Sequence, residues 1–281
     1  MMFKKVLMAA AALCAVASVT PSQAKEWKKV TITLEGAYAP WNSTNPDGSL
    51  GGFEPELADY LCDHMKVECT LVASDWDSMI TSLNAGKFDV VMDALSITPE
   101  REKVIAFSIP YANTHAAFAA PVESEYAKAI GTGDIVKMAP DYSGGKEQIE
   151  EMRKAFKGAT IGIQAATVYA KFIYDNFKDV ATIREYKTGA ERDLDLQTGR
   201  IDLGFDDTTN LLASFKTAEE EMAITGPEIA GNVFGTGEGL GLRKEDTDLK
   251  AMFDDAIKAA LADGTVKKLS MKWFETDVSP E

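Results

Sequence analysis

The chain has 281 residues, with 44 acidic against 29 basic side chains and a net charge of −15. That length leaves room for two domains, and so acidic a surface repels nucleic acid and anionic lipid. The acids are scattered rather than blocked, which by itself reads as a device for solubility.

Residues 1–24 have the plan of a secretory signal peptide. Lys4 and Lys5 are followed by an apolar run from Val6 to Val19, and then by the small-x-small sequence Ser22-Gln23-Ala24. Ala12 and Leu13 make a poor context for lipid attachment at Cys14, so the mature chain is expected to start at Lys25 and to be exported without an anchor. No later run of about 18 apolar residues follows.

Lys29 to Leu34 alternates as a strand, and GGFEPELADYLCDHM reads as a Gly-rich turn and a helix, with Leu57, Tyr60, Leu61 and Met65 on one face. VECTLVAS is a second strand, WDSMITSLNAGKFD a helix ending at Gly86, and VVMDAL a third strand, apolar enough to be buried on both faces. Cys62 and Cys69 fall between that first helix and the second strand. An exported pair this close points to a disulfide. Zinc with His64 is the alternative, weakened because no further cysteine lies in the mature chain and His115 is remote.

IAFSIPYANTHAAFAAP then reads as two extended pieces, and residues 123–157 as a less regular segment. A second series follows: strand GATIGIQ, helix VYAKFIYDNF, strand ATIREYK, helix GAERDLDLQ, strand LGFDD. The chain ends with an extended passage past IAGNVF and two helices with a turn at Gly264. The fold class is therefore α/β: two lobes of like plan joined by extended crossings, with a cleft between them. In open α/β sheets, ligands bind beyond the carboxyl ends of the strands.

Those ends carry the residues of interest. Glu35 and Tyr38 follow the first strand, Trp76 the second, and Asp93, Ala94, Ser96 and Arg101 the third. In the second series Gln164, Thr167 and Val168 form a turn into a helix, and Asp207 ends the last strand. Arg101 can fork onto a carboxylate, and N–H groups opening a helix at residues 166–168 can hold the same anion. Asp207 can hold an ammonium, Tyr38 and Trp76 can flank a guanidinium, and Glu35 and Asp93 can take a distal positive charge. Each has a plainer reading. The aromatics could be core, Arg101 could pair with Glu100 or Glu102, Asp93 could satisfy turn amides, and Asp207 could cap the helix TTNLLASF. Together the residues match the head and tail of a cationic amino acid.

The stretches GAYAPW, GGFEPELADYLC, VASDWDSMITSL, KFDVVMDALSITPEREKVIAFSIPY, GTGEGLGLRKEDTDLK and ADGTVKKLSMKWF resemble the periplasmic solute-binding proteins of ABC importers (family 3), in particular the lysine/arginine/ornithine-, histidine- and opine-binding group. The resemblance runs from Lys29 to Phe274. It implies the type II two-lobed binding-protein fold and a disulfide at Cys62 and Cys69. It implies that Arg101 binds a carboxylate, that Ser96 touches the ligand head, and that the Ala94 carbonyl accepts from the α-ammonium. Asp207 then binds that ammonium, Tyr38 and Trp76 clamp the side chain, Glu35 selects a cationic tail, and Thr167 and Val168 complete the carboxylate site. The chain departs from its group at Ala166, where a glycine is usual, at Val168, where a hydroxyl is lost, and at Asp93, where a serine is common. The length of residues 123–157 is nearer to opine binders, whereas Asp207 would crowd a substituted amine.

The expectation is a periplasmic, monomeric binding protein that needs no cofactor. It would close on arginine, or next on ornithine or lysine, and deliver it to an ABC permease in the inner membrane. The lobes are expected at 25–113 with 233–281 and at 114–232, hinged near residues 111–114 and 232–234. The rivals are an arginine-derived opine as ligand, a sensor role, and a prephenate-type dehydratase using Glu35 or Asp93 as acid.

Overall fold

The computed structural model describes residues 26–217 and 221–280, so the expected signal peptide and cleavage site lie outside the described residues. The first lobe opens with β1 (Lys29–Leu34), whose Val30, Ile32 and Leu34 are buried on the pleat's alternate positions. A small antiparallel sheet of β2 (Ala37–Tyr38), β3 (Asn42–Thr44) and β4 (Leu50–Gly51) folds over its end. The chain continues through α1 (Phe53–Met65), β5 (Glu68–Ala73), α2 (Met79–Asn84), β6 (Val90–Val91), the single-turn α3 (Pro99–Glu102) and β7 (Ala106–Phe107).

It then crosses to the second lobe. There it forms β8 (Ala116–Pro121), β9 (Ile135–Lys137), α4 (Lys146–Ala155), β10 (Thr160–Gln164), α5 (Val168–Phe177), β11 (Thr182–Tyr186), α6 (Gly189–Gln197), β12 (Leu203–Asp207), α7 (Thr208–Thr217) and β13 (Met222–Ala230). It returns for β14 (Gly241–Leu242), α8 (Thr247–Ala262) and α9 (Thr265–Trp273).

The first sheet runs β5-β1-β6-β14-β7 and the second β11-β10-β12-β8-β13-β9. In each, three parallel strands meet an antiparallel strand from a crossing: β14 beside β6, and β8 beside β12. The first core packs Phe53, Leu57 and Leu61 of α1 against Phe253 and Ile257 of α8 and against Trp41. The second is aromatic, with Phe205 set 4.5 Å from Phe118 and 5.3 Å from Phe172 between ring centroids.

The sheets depart from expectation in three places. β6 ends at Val91 rather than Leu95, because the next residues are turned aside: Asp93 accepts from the Glu35 N–H, and Ala94 adopts a left-handed backbone at φ 42°. Residues 123–157 hold β9 and α4, the latter seated by Ile149 and Met152, and β13 is a full strand beyond α7. Residues 232–234, expected in the hinge, form a turn of 3-10 helix whose Phe234 belongs to the second core. The crossings meet further on, where Glu238 bridges both Ala112 and Ser96.

Beneath the cleft Arg192 of α6 is fully buried. It donates to Asp193 from Nε at 2.9 Å and from Nη2 at 2.7 Å, to Asn210 at 2.9 Å, and to Asp206 at the end of β12. A guanidinium's planar fork suits this multiple pairing. Arg192→Met would leave two buried carboxylates without their cation and should lower stability by about 3–5 kcal/mol in urea unfolding. Wild-type stability would show that Asp206 does not depend on it.

Cys62, near the end of α1, and Cys69, at the start of β5, are disulfide-bonded, which displaces the zinc alternative. The loop is short, so replacing both by serine should cost about 2–3 kcal/mol in the same measurement. An unchanged midpoint would assign the bond no role in stability.

Candidate functional site

The strand ends of the two lobes face each other across about 340 Å³ of space not filled by atoms. From the first lobe Glu35, Tyr38, Trp76, Asp93, Ala94, Ser96 and Arg101 line it; from the second, Gln164, Thr167, Val168, Tyr169 and Asp206. Residues spread over more than 170 positions of sequence thus converge because most lie at or just past the carboxyl end of a strand that points at the cleft.

Arg101 stands at the centre of this wall. Thr98 caps α3, accepting from the Arg101 N–H at 3.3 Å, with Pro99 at the first helical position. That turn sends the side chain back over Ser96, whose carbonyl accepts from Nη1 at 2.9 Å, and against the Trp76 ring at 5.3 Å. Neither partner is charged, and Arg101 makes no ion pair among the described residues, with Glu100 and Glu102 included. Burial pulls its pKa down to about 10. Little in the site compensates this cation, and a bound anion would.

The same wall is acidic. Burial raises Glu35 to about 7, although the Gln164 Nε2 donates to Oε1 at 2.9 Å from the other lobe. Burial likewise pushes Asp93 well above the carboxylate range, helped by Glu54 and Glu35 nearby. Behind Asp93 sit two fully buried residues that the sequence reading did not single out. Asn42 donates through Nδ2 to Asp93 and to Glu54, each at 2.7 Å, and Glu54 also accepts from the Ala94 N–H at 2.7 Å.

Across the cleft, Ala166 turns left-handed (φ 61°) so that Thr167 can cap α5. The Thr167 hydroxyl accepts from the Ala170 N–H at 3.0 Å and donates to the Gln164 carbonyl at 2.8 Å. What this turn offers an anion is therefore its first backbone N–H groups, which have no acceptor inside the helix.

Asp207 does not line the cavity. It accepts from the N–H groups of Thr209 (2.7 Å) and Asn210 (3.2 Å), from the Thr209 hydroxyl (2.5 Å) and from Thr114, and so caps α7. Successive strand residues face opposite ways, so its neighbour Asp206 lines the cleft instead, accepting from the Tyr38 hydroxyl at 2.9 Å. Tyr38 is thereby tied to a carboxylate. Trp76 carries Arg101 on its ring and leaves its own Nε1 buried without a partner among the described residues.

The lobes also touch around the cavity. Trp41 Nε1 donates to the Thr209 hydroxyl at 3.0 Å, Asn210 Nδ2 to the Ala39 carbonyl at 2.7 Å, and Lys187 pairs with Asp75 at 2.9 Å. These bonds bring the two walls within reach of one small molecule.

Comparison with known proteins agrees with this geometry. Residues 30–276 match the family model for bacterial extracellular solute-binding proteins, family 3. The chain is 40% identical to the octopine-binding periplasmic protein of Rhizobium meliloti over 95% of this chain and 98% of that protein. It is 31% identical to the ABC transporter arginine-binding protein 1 of Escherichia coli K12 over 88% and 91%. A solved periplasmic His/Glu/Gln/Arg/opine family-binding protein from Silicibacter pomeroyi, in complex with lysine, superposes with a TM-score of 0.72 at 30% identity, covering 90% of this chain and 100% of that one. Its relatives are binding proteins rather than enzymes, and the chain belongs to the bacterial extracellular solute-binding proteins of family 3.

Proposed function

We propose that this protein is exported through cleavage of residues 1–24 and works in the periplasm as a monomer. There it captures a guanidinium-bearing amino acid, arginine or an opine made from it, and presents it to an ABC permease in the inner membrane. The observation that carries this reading is Arg101, a cation removed from water with only a carbonyl and an indole ring for company. It is matched in the same cavity by the buried acids Glu35 and Asp93. A zwitterion with a cationic tail satisfies both. Its carboxylate lies on Arg101 with Ser96 and the N–H groups of Thr167 and Val168, and its guanidinium lies between Glu35 and Asp93. The lobes, expected at 25–113 with 233–281 and at 114–232 but with Val233 and Phe234 packed in the second core, then close around it by a hinge motion. The ligand favours the closed form because it touches both walls.

A relative that binds octopine supports the opine reading. So does the position of Asp207, which as a helix cap no longer crowds a substituted amine. The Ala94 carbonyl and Asp206 are the acceptors left for the ammonium.

Two outcomes test the reading. Arg101→Met should cost about 2–5 kcal/mol of binding energy by calorimetry with arginine or octopine, while the ligand-free protein unfolds no more easily than wild type. Retained affinity would overturn the carboxylate assignment. In wild type, arginine or octopine should bind at least tenfold more tightly than glutamine, and Glu35→Gln should narrow that gap, since a guanidinium needs both charge and planar acceptors. Tighter binding of glutamine would turn the acidic wall to another purpose.

A further inference from the structure

We propose that the ligand-free protein holds one proton on the Asp93 oxygen facing the cavity, and that a cationic ligand expels it, so that capture is a proton-for-cation exchange. The proposal rests on the cationic-ligand reading above and adds to it a chemistry of uptake.

The geometry behind Asp93 carries it. Asn42 is fully buried and its orientation is fixed, because its Oδ1 accepts from the Gly36 N–H at 2.7 Å. Its two amide protons must then point at Glu54 Oε2 and Asp93 Oδ1, each at 2.7 Å. One nitrogen thus holds two carboxylates within two hydrogen bonds of each other, both out of water. Donors are unevenly shared between them. Glu54 takes three, from Asn42, from the Ala94 N–H at 2.7 Å and from the Tyr111 hydroxyl at 2.5 Å. Asp93 takes two, from the Glu35 N–H at 3.0 Å and from Asn42, both on Oδ1. Its Oδ2 has no donor among the described residues.

The charges facing Asp93 do not balance. Glu54 faces it from α1 and Glu35 from the end of β1, both acidic. Tyr111 approaches from the first crossing, with Glu238 of the second crossing beyond it. Arg101 of α3 is the cation acting on it, at longer range than an ion pair. Two carboxylates this close ionise together only if a cation joins them, and they titrate as a unit. The carboxylate with three donors keeps the charge, which leaves the proton to Asp93. Burial acting on both acids points the same way. When a guanidinium enters, the Asp93 O–H bond breaks, its proton passes to solvent, and an N–H···O bond to the ionised carboxylate replaces it. A raised pKa lowered by the ligand makes affinity grow with pH through the neutral range.

Calorimetric titration of the mature protein with arginine and with octopine, in phosphate and in Tris at pH 7, reads the exchange directly. The difference in observed heat should correspond to release of about one proton per ligand from Asp93 plus a fraction from Glu35, which its raised pKa leaves part-protonated at pH 7. Affinity should rise by several-fold to somewhat more than about tenfold per pH unit from 6 to 8. Asp93→Asn should cut the release to less than half of wild type, whereas Glu35→Gln keeps more than half. Binding with the same heat in both buffers overturns the exchange while leaving the ligand reading intact. Release unaffected by Asp93→Asn overturns the site of the proton. If neither compound binds wild type, both this inference and the ligand reading fall. Should Asp93→Asn not fold, the wild-type heats and pH slope decide alone.

Discussion

A buried guanidinium that is left without an anion is a cost the fold carries until a partner arrives. Arg101 is in that position: its turn is fixed by the Thr98 cap and Pro99, and its fork reaches only a carbonyl. A hydrophobic residue there would pack at lower cost. The acids on the same wall are in a complementary plight, desolvated and crowded. The two kinds of charge are held apart on one wall instead of quenching each other, and that separation gives the cleft its appetite for a molecule with both signs at fixed spacing. Arg192 in the second lobe shows the contrast, since the same side chain with its carboxylates in contact is part of the scaffold.

Selectivity and framework are joined at the residues behind the wall. Glu54 holds the Ala94 N–H, so that Ala94 stays in its left-handed turn, and it also receives the hydroxyl of Tyr111 on the first crossing. The peptide expected to meet the ligand's ammonium and the crossing proposed as the hinge therefore share one carboxylate. Displacement at either is felt at the other through hydrogen bonds in a low-dielectric interior, where such bonds are strong and their loss is costly.

Much of this was legible in sequence, and for a common reason. β1, β5, β6 and β10 are short apolar or alternating runs, and ten of the eleven expected ligand-binding residues line the cavity, most of them at or within a few residues of the carboxyl ends of those runs. The eleventh, Asp207, lies one residue past Asp206, which lines the cavity in its place. In FDD either acid could face the cleft, and only the pairing of β12 with β8 sets which does. Asn42 and Glu54 were invisible for a different reason. Glu54 looks like any acid in the first turn of a helix, and its partners lie 12, 40 and 57 positions away in sequence. α4 was hidden by its charge, with two apolar anchors, Ile149 and Met152, among eight polar, charged or small residues. β13 follows α7 in a stretch whose Gly-Pro reads as a turn, yet Gly226 and Pro227 fall where the register with β8 shifts, a position that tolerates both.

The order of strands also has a consequence for how the molecule is made. β14 lies between β6 and β7, yet nearly the whole second lobe separates it from them in sequence. A ribosome delivers every strand of the second sheet before it delivers the strand that closes the first. Until residue 242 has emerged, β6 and β7 flank a gap, with their inward hydrogen-bonding groups unpaired. The second lobe can therefore be complete while the first is still an open template, exposed to other strand edges. The part of the chain that begins first is the part that must finish last.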